Sequence, residues 1–294
     1  MRRPAAPDFL ASELGKEHSP DSALFHVIPV PLEQSVSFGS GTQEGPAAIL
    51  EASQQLEAWD GRSTPLELGI HTTAFIDCSG EIEQVLQRIR QNTLAALETG
   101  KIPVILGGEH TVTLGALEAV CALFPEPVGL FQLDAHADLR ESYEGSRFSH
   151  ACVARRAHAD LDMELFQFGV RALSLEEVTY REKHGISHLD AAAFHQSASR
   201  ECWSLPPAFP DRIYLTLDVD GLDPSVIRAT GTPVPGGPGW HETLAVIEKV
   251  IQGRTVVGFD VVELAPRPED HASSFAAALL VYSVMGLIQR NGTQ

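Results

Sequence analysis

Cysteine is scarce: the 294 residues hold four, Cys78, Cys121, Cys152 and Cys202, with no Cys-x-x-Cys pair among them. That spacing argues against a zinc ribbon or a disulfide framework, and reduced core cysteines are expected instead. Arg2 and Arg3 are followed by no apolar signal core, and no apolar run approaches the length of a membrane span. The expected setting is therefore the cytoplasm, in solution. Positive charge is also short. Lys and Arg number 21 against 39 Asp and Glu, a formal net charge of -18, which argues against nucleic acid or an anionic membrane as partner and suits a small cation. No Pro/Ser-rich linker or charge block interrupts the middle of the chain. One domain over 23–294 is expected, after a loosely ordered lead-in, 1–22, that carries Pro4, Pro7, Gly15 and Pro20.

Hydrophobic residues, 44% of the total, fall into alternating strand and helix patterns. Strands are expected at 24–30, 70–76, 102–106, 128–133, 166–171, 213–217 and 256–262. Helices are expected at 46–59, 81–98, 111–123, 149–156, 175–183, 191–196, 240–251 and 274–289. This alternation predicts an α/β fold with a mostly parallel sheet covered on both faces. Gly39-Ser40-Gly41 lacks the Walker lysine and the spaced third glycine of a dinucleotide loop, so it reads as a structural turn. The Pro- and Gly-rich stretch 230–239 is too long for a hairpin and reads as a loop covering a site.

Four of the strand patterns run into acids or histidines. Val128 to Leu133 leads into Asp134-Ala135-His136-Ala137-Asp138, and 102–106 into Gly107-Gly108-Glu109-His110. The strand at 213–217 leads into Asp218-Val219-Asp220-Gly221-Leu222-Asp223, and the last strand ends at Val262-Glu263. In parallel sheets sites form beyond the carboxyl ends of strands, so these four ends can converge. His110, Asp134, His136, Asp138, Asp218 and Asp220 would then gather as ligands, while Asp223 before Pro224 is explained by a turn. Four carboxylates and two imidazoles without a thiolate exceed one tetrahedral zinc and fall short of a calcium cage. They suit two divalent ions, manganese ahead of cobalt, nickel or iron. Two ions about 3.5–4 Å apart lower the pKa of a shared water towards neutrality, which points to hydrolysis of an electrophilic carbon. With Glu263 added, the pocket stays net negative and welcomes a cation.

These motifs, with Thr230-Gly231-Thr232-Pro233, match in order and spacing the signatures of the ureohydrolase family of arginases and agmatinases, over most of the chain. The resemblance implies a three-layer α/β/α fold and two Mn2+ bridged by Asp134 and Asp218. His110 and Asp138 would complete one site, and His136 and Asp220 the other. It further implies that Glu263 binds the guanidinium with Thr232 nearby, and that His150 shuttles a proton to the leaving amine. The loop 138–150 lacks the Ser-Gly-Asn element of arginases and is similar to that of agmatinases. The implied reaction is agmatine to putrescine and urea, with Glu141 or Glu144 meeting the distal ammonium. Hydrolysis of guanidinobutyrate, guanidinopropionate, arginine or a formimino compound is the alternative, and a catalytically silent regulatory subunit is a further one. Arg228, where the family often has proline, and Val234, where agmatinases often have glutamate, depart from the pattern. Family resemblance also implies a homo-oligomer, trimer or hexamer.

Overall fold

The computed structural model describes residues 6–14, 19–196 and 203–292. Among them lie eight strands: β1 Phe25–Val30, β2 Ile70–Thr72, β3 Ile102–Gly107, β4 Val128–Leu133, β5 Glu164–Phe168, β6 Ser187–Leu189, β7 Arg212–Asp218 and β8 Thr255–Val262. The helices are α1 Gly45–Ser53, α2 Ile82–Glu98, α3 Val112–Leu123, α4 Val153–Ala159, α5 Leu175–His184, α6 Ala191–Gln196, α7 Trp240–Ile251 and α8 His271–Asn291. All strands join one sheet in the order β2-β1-β3-β8-β7-β4-β5-β6, and every pairing is parallel.

Alternate strand residues point to opposite faces, and the core divides accordingly into two clusters. Phe25, Val104, Phe131, Leu215 and Phe259 pack with α1, α6, α7 and α8, whereas Ile28, Ile105, Leu130, Tyr214 and Val257 pack with α2, α3, α4 and α5. This is the three-layer α/β/α arrangement. At 21 residues α8 is long and apolar enough to cross a membrane, which corrects the expectation that no segment approaches that length. Its apolar surface is instead mostly buried: Ala277, Leu280, Val281 and Val284 lie in the core beside α1 and α7.

Several boundaries differ from expectation for local reasons. Strand β5 ends at Phe168 because Gly169 takes φ 88°, which ends the extended run. Strand β6, three residues at the sheet edge, follows the α5 C-cap Gly185 and is too short to carry a periodic signal. Helix α8 starts earlier than 274 because the Asp270 side chain accepts from the Ser273 amide. Within the segment expected to be a loose lead-in, Phe9 and Leu10 are fully buried, and their amides donate to Thr72 Oγ1 and Ser53 Oγ. Cys202 lies outside the described residues; of the free cysteines expected in the core, Cys152 is buried, whereas Cys78 and Cys121 are half-buried at its edge.

Candidate metal centre and substrate cavity

The four strands that end in acids or histidines are consecutive neighbours, β3-β8-β7-β4, at the middle of the sheet. Their ends are level: Leu106 pairs Val261, Val261 pairs Leu217, and Leu217 pairs Leu133. The chain therefore leaves all four strands at one height, and the side chains just beyond meet. Close backbone contact makes this possible. A Cβ at Gly108 would fall 2.0 Å from the Leu32 carbonyl oxygen, and one at Gly221 2.8 Å from the Asp134 nitrogen. Two non-glycine residues are held at positive φ here, Asp138 at 50° and Glu263 at 65°, each a cost of about 1–3 kcal/mol sustained by the surrounding fold.

Among the described residues, two groups of side chains could each hold a metal ion, His110/Asp134/Asp138 and Asp134/His136/Asp220. Asp134 belongs to both. Its Oδ2 lies 3.3 Å from His110 Nδ1 and its Oδ1 3.6 Å from His136 Nδ1, so one carboxylate presents an oxygen to each histidine. Asp138 Oδ2 is 3.0 Å from His110 Nδ1, and Asp220 Oδ2 is 3.0 Å from His136 Nδ1. Asp218 Oδ2 reaches the His110 side at 3.5 Å, while its Oδ1 accepts from the Asp220 amide. All six residues expected as ligands thus converge.

The donor set fits cations. His110 Nε2 lies 2.7 Å from Thr216 Oγ1, and that hydroxyl donates to Asp260 Oδ1. Thr216 can then only accept from His110, which leaves the Nδ1 lone pair aimed at three carboxylates. Nδ1 is buried without a hydrogen-bond partner, so a cation or a proton must occupy that position. Burial opposes charge on His110, but the carboxylates of Asp134 and Asp138 facing Nδ1 outweigh it and raise its pKa well above the usual imidazole range. Burial and then the Asp134 charge push Asp138 up to about 7. Burial, followed by Asp220, Asp134 and Glu263, raises Asp218 strongly. Without metal the site must hold protons to contain its own charge.

The sequence alone did not reveal what supports these ligands. Gln132 Nε2 donates to Asp134 Oδ2 at 2.8 Å, Gln167 donates to Gln132 Oε1, and Arg181 to Gln167 Oε1. Beyond His110, Asp260 accepts from both Thr216 and Thr113. Such partners orient ligands and tune their basicity. Thr216→Val is accordingly expected to weaken the His110-side metal by about 10–100-fold, read by metal titration. Arg171 braces the covering loop, donating to the carbonyls of Val234, Gly169, Gly221, Asp220 and Leu222.

Above the ligands opens a cavity of about 330 Å³, lined by five of the six, with Asp134 beneath, and by Glu263, Thr232, His150, Tyr143, Arg140, Phe38 and Glu177 among others. Glu263 Oε1 accepts from the His110 amide at 2.6 Å, and Thr232 Oγ1 is 3.4 Å from Asp220 Oδ2. Gly39, read as part of a structural turn, also lines the cavity. Glu141 and Glu144 do not. Glu141 is held by Arg155 at 2.6 Å and Arg156 at 3.0 Å, and Glu144 is exposed in a turn with φ 49°. The arginines that take Glu141 lie on α4, beyond what a reading of the loop could pair with it. Glu141→Gln is expected to leave KM for a guanidine substrate unchanged. Glu177, the wall carboxylate, is occupied by the Leu139 amide and by Ser174. Of the two departures, Arg228 binds Asp270 and Val234 offers its carbonyl to Arg171; neither lines the cavity.

Comparison with known proteins agrees with this arrangement. The chain is 35% identical over 286 residues to an N(1)-aminopropylagmatine ureohydrolase of Synechocystis, covering 95% of this chain and 92% of that one. It is 32% identical over 273 residues to an agmatinase of Pyrococcus horikoshii, covering 91% and 93%. The solved agmatine ureohydrolase of Thermoplasma volcanium superposes with a TM-score of 0.84 at 28% identity, covering 97% and 96%. A sequence model described as the arginase family matches residues 23–286, a span that contains all four strand ends and every candidate ligand. The chain belongs to the arginase family.

Proposed function

We propose that this protein hydrolyses the guanidinium group of an alkylguanidine cation, with agmatine as substrate and putrescine and urea as products. The observation that carries the reading is Asp134, common to two ligand groups with one oxygen turned to each histidine. His110 and Asp138 would hold one ion, His136 and Asp220 the other; Asp218, expected as a second bridge, lies beside the first with its other oxygen on the Asp220 amide. Manganese suits the oxygen-rich set best. When bound, two divalent ions supply an activated water for attack on the guanidinium carbon.

The chain's own residues do the rest. Glu263 keeps one oxygen on the His110 amide, which leaves Oε2 for a guanidinium N–H. Burial, partly offset by that amide, raises Glu263 to about 8, so an arriving cation restores its charge and its hydrogen bond together. Thr232 lines the same cavity. His150 is largely buried, and this burial, only partly offset by Glu109, lowers its pKa and keeps it neutral near physiological pH, ready to accept a proton.

A second reading, N(1)-aminopropylagmatine, is favoured by the relatives bearing that name at 35–36% identity. Parallel kcat/KM measurements on agmatine, N(1)-aminopropylagmatine, arginine, guanidinobutyrate and guanidinopropionate test the proposal. One of the two amine-tailed guanidines is expected to lead, and the order of those two chooses between the readings. Arg140 in the cavity wall makes the acids a real contrast. A lead for guanidinobutyrate would discard the cationic tail.

A further inference from the structure

Glu109 stands between Gly108 and the ligand His110, yet its carboxylate serves a different element. It is fully buried, and Oε2 accepts from the amides of Gln34 at 2.7 Å and Ser35 at 2.6 Å. Oε1 accepts from the Ser35 hydroxyl at 2.9 Å. The single hydroxyl proton of Ser35 is thereby committed, and towards any other neighbour its oxygen can only accept. Two nitrogens of His150 lie within reach: its backbone amide, which donates to that oxygen at 3.0 Å, and ring Nδ1 at 3.3 Å. An acceptor facing Nδ1 selects the tautomer with hydrogen on Nδ1. Ser149 Oγ, 3.4 Å from Nδ1, can accept the same hydrogen. Nε2 is then bare, 3.4 Å from the exposed Ser37 hydroxyl, which is free to donate to it or give way to substrate. Thr111 does not compete for the Ser35 oxygen, because its hydroxyl donates to the Phe148 carbonyl.

We propose that Glu109 and Ser35 are positioning residues that lock His150 in the Nδ1–H tautomer, so that Nε2 is the atom that takes and returns the proton. The role in catalysis rests on the guanidine-hydrolase reading above, whereas the tautomer itself does not. In that reaction Nε2 takes a proton from the attacking water and gives it to the amine nitrogen. The C–N bond breaks with its electron pair remaining on nitrogen. An imidazole with hydrogen already on Nε2 could not accept there.

The test is nitrogen-15 NMR of histidine-labelled protein loaded with diamagnetic zinc, with His150 identified by its loss in His150→Gln. Wild type is expected to carry the hydrogen on Nδ1, and Ser35→Ala to redistribute it towards Nε2. In parallel, kcat of Ser35→Ala should fall roughly tenfold, a fraction of the 10²–10⁴ that general acid–base help supplies, with KM unchanged and recovery in Ser35→Thr. Hydrogen on Nε2 in the wild type, or a tautomer unmoved in folded Ser35→Ala, would overturn the proposal. The wild-type spectrum decides even if the variant fails to fold. Because the spectrum needs no substrate, it also stands if no guanidine yields urea.

Discussion

Asp134→Asn is expected to strip both metals and to lower turnover by at least about 10³-fold. A metal centre contributes several kcal/mol of transition-state stabilisation, and about 4 kcal/mol at about 1.4 kcal/mol per decade gives that factor. The residue is irreplaceable because each oxygen already has two duties. Oδ2 faces His110 and accepts from Gln132, while Oδ1 faces His136 and accepts from the His136 amide at 2.6 Å. An asparagine must present its NH2, which can neither accept nor ligate, to one of those donors and to the ion on the same side. Elemental analysis of the purified variant beside urea release checks the result. Two ions retained per chain would show that Asp134 is a wall of the site rather than its shared member.

Metal removal should cost stability in a pH-dependent way, with a melting temperature lowered by roughly 5–10 °C at about pH 8 and by much less at about pH 5.5. A ligand at a hundredfold excess over Kd stabilises by about 2.7 kcal/mol, and chains of this size shift by about 2–4 °C per kcal/mol. The sign follows from the protons held by the empty site. Asp138 is pushed up to about 7 by burial and Asp134, and Glu263 to about 8 chiefly by burial. In the unfolded chain such carboxyls lose their protons near pH 4. Between about pH 4 and 8 the folded metal-free protein therefore binds more protons than the unfolded one, and its stability falls as pH rises. His136 adds to this at higher pH. Against opposing burial, Asp134 and Asp220 raise it to about 11, so its contribution is complete below its unfolded value near 6.5 and fades as pH climbs through 11. Divalent ions displace these protons, so their affinity and their stabilisation grow with pH. Equal melting shifts at both pH values would contradict this charge balance.

The convergence of the six candidate ligands was legible in the sequence because each lies within a few residues of an apolar strand, and parallel sheets bring strand ends together whatever the intervening helices do. Glu263 was legible for the same reason. Interactions between distant segments were not. Glu141 looked free in the loop 138–150, but its partners Arg155 and Arg156 are on α4. Gln132 and Gln167 read as ordinary strand residues; only the β4–β5 register places them side by side beneath Asp134. Ser35 sits 74 residues from Glu109 and 115 from His150, and no local pattern links the three. The buried Phe9 and Leu10 were hidden by the prolines around them, because composition reports local stiffness and not the groove beside α1 into which a segment docks.

Urea release from agmatine, measured as chelator-treated protein is titrated with manganese, tests the central claim most directly. Activity is expected to be absent without metal and to reach its plateau only as the second equivalent per chain binds. Full activity in the metal-free protein or at one equivalent, or no urea from either agmatine or N(1)-aminopropylagmatine with two ions bound, would contradict a binuclear guanidine hydrolase.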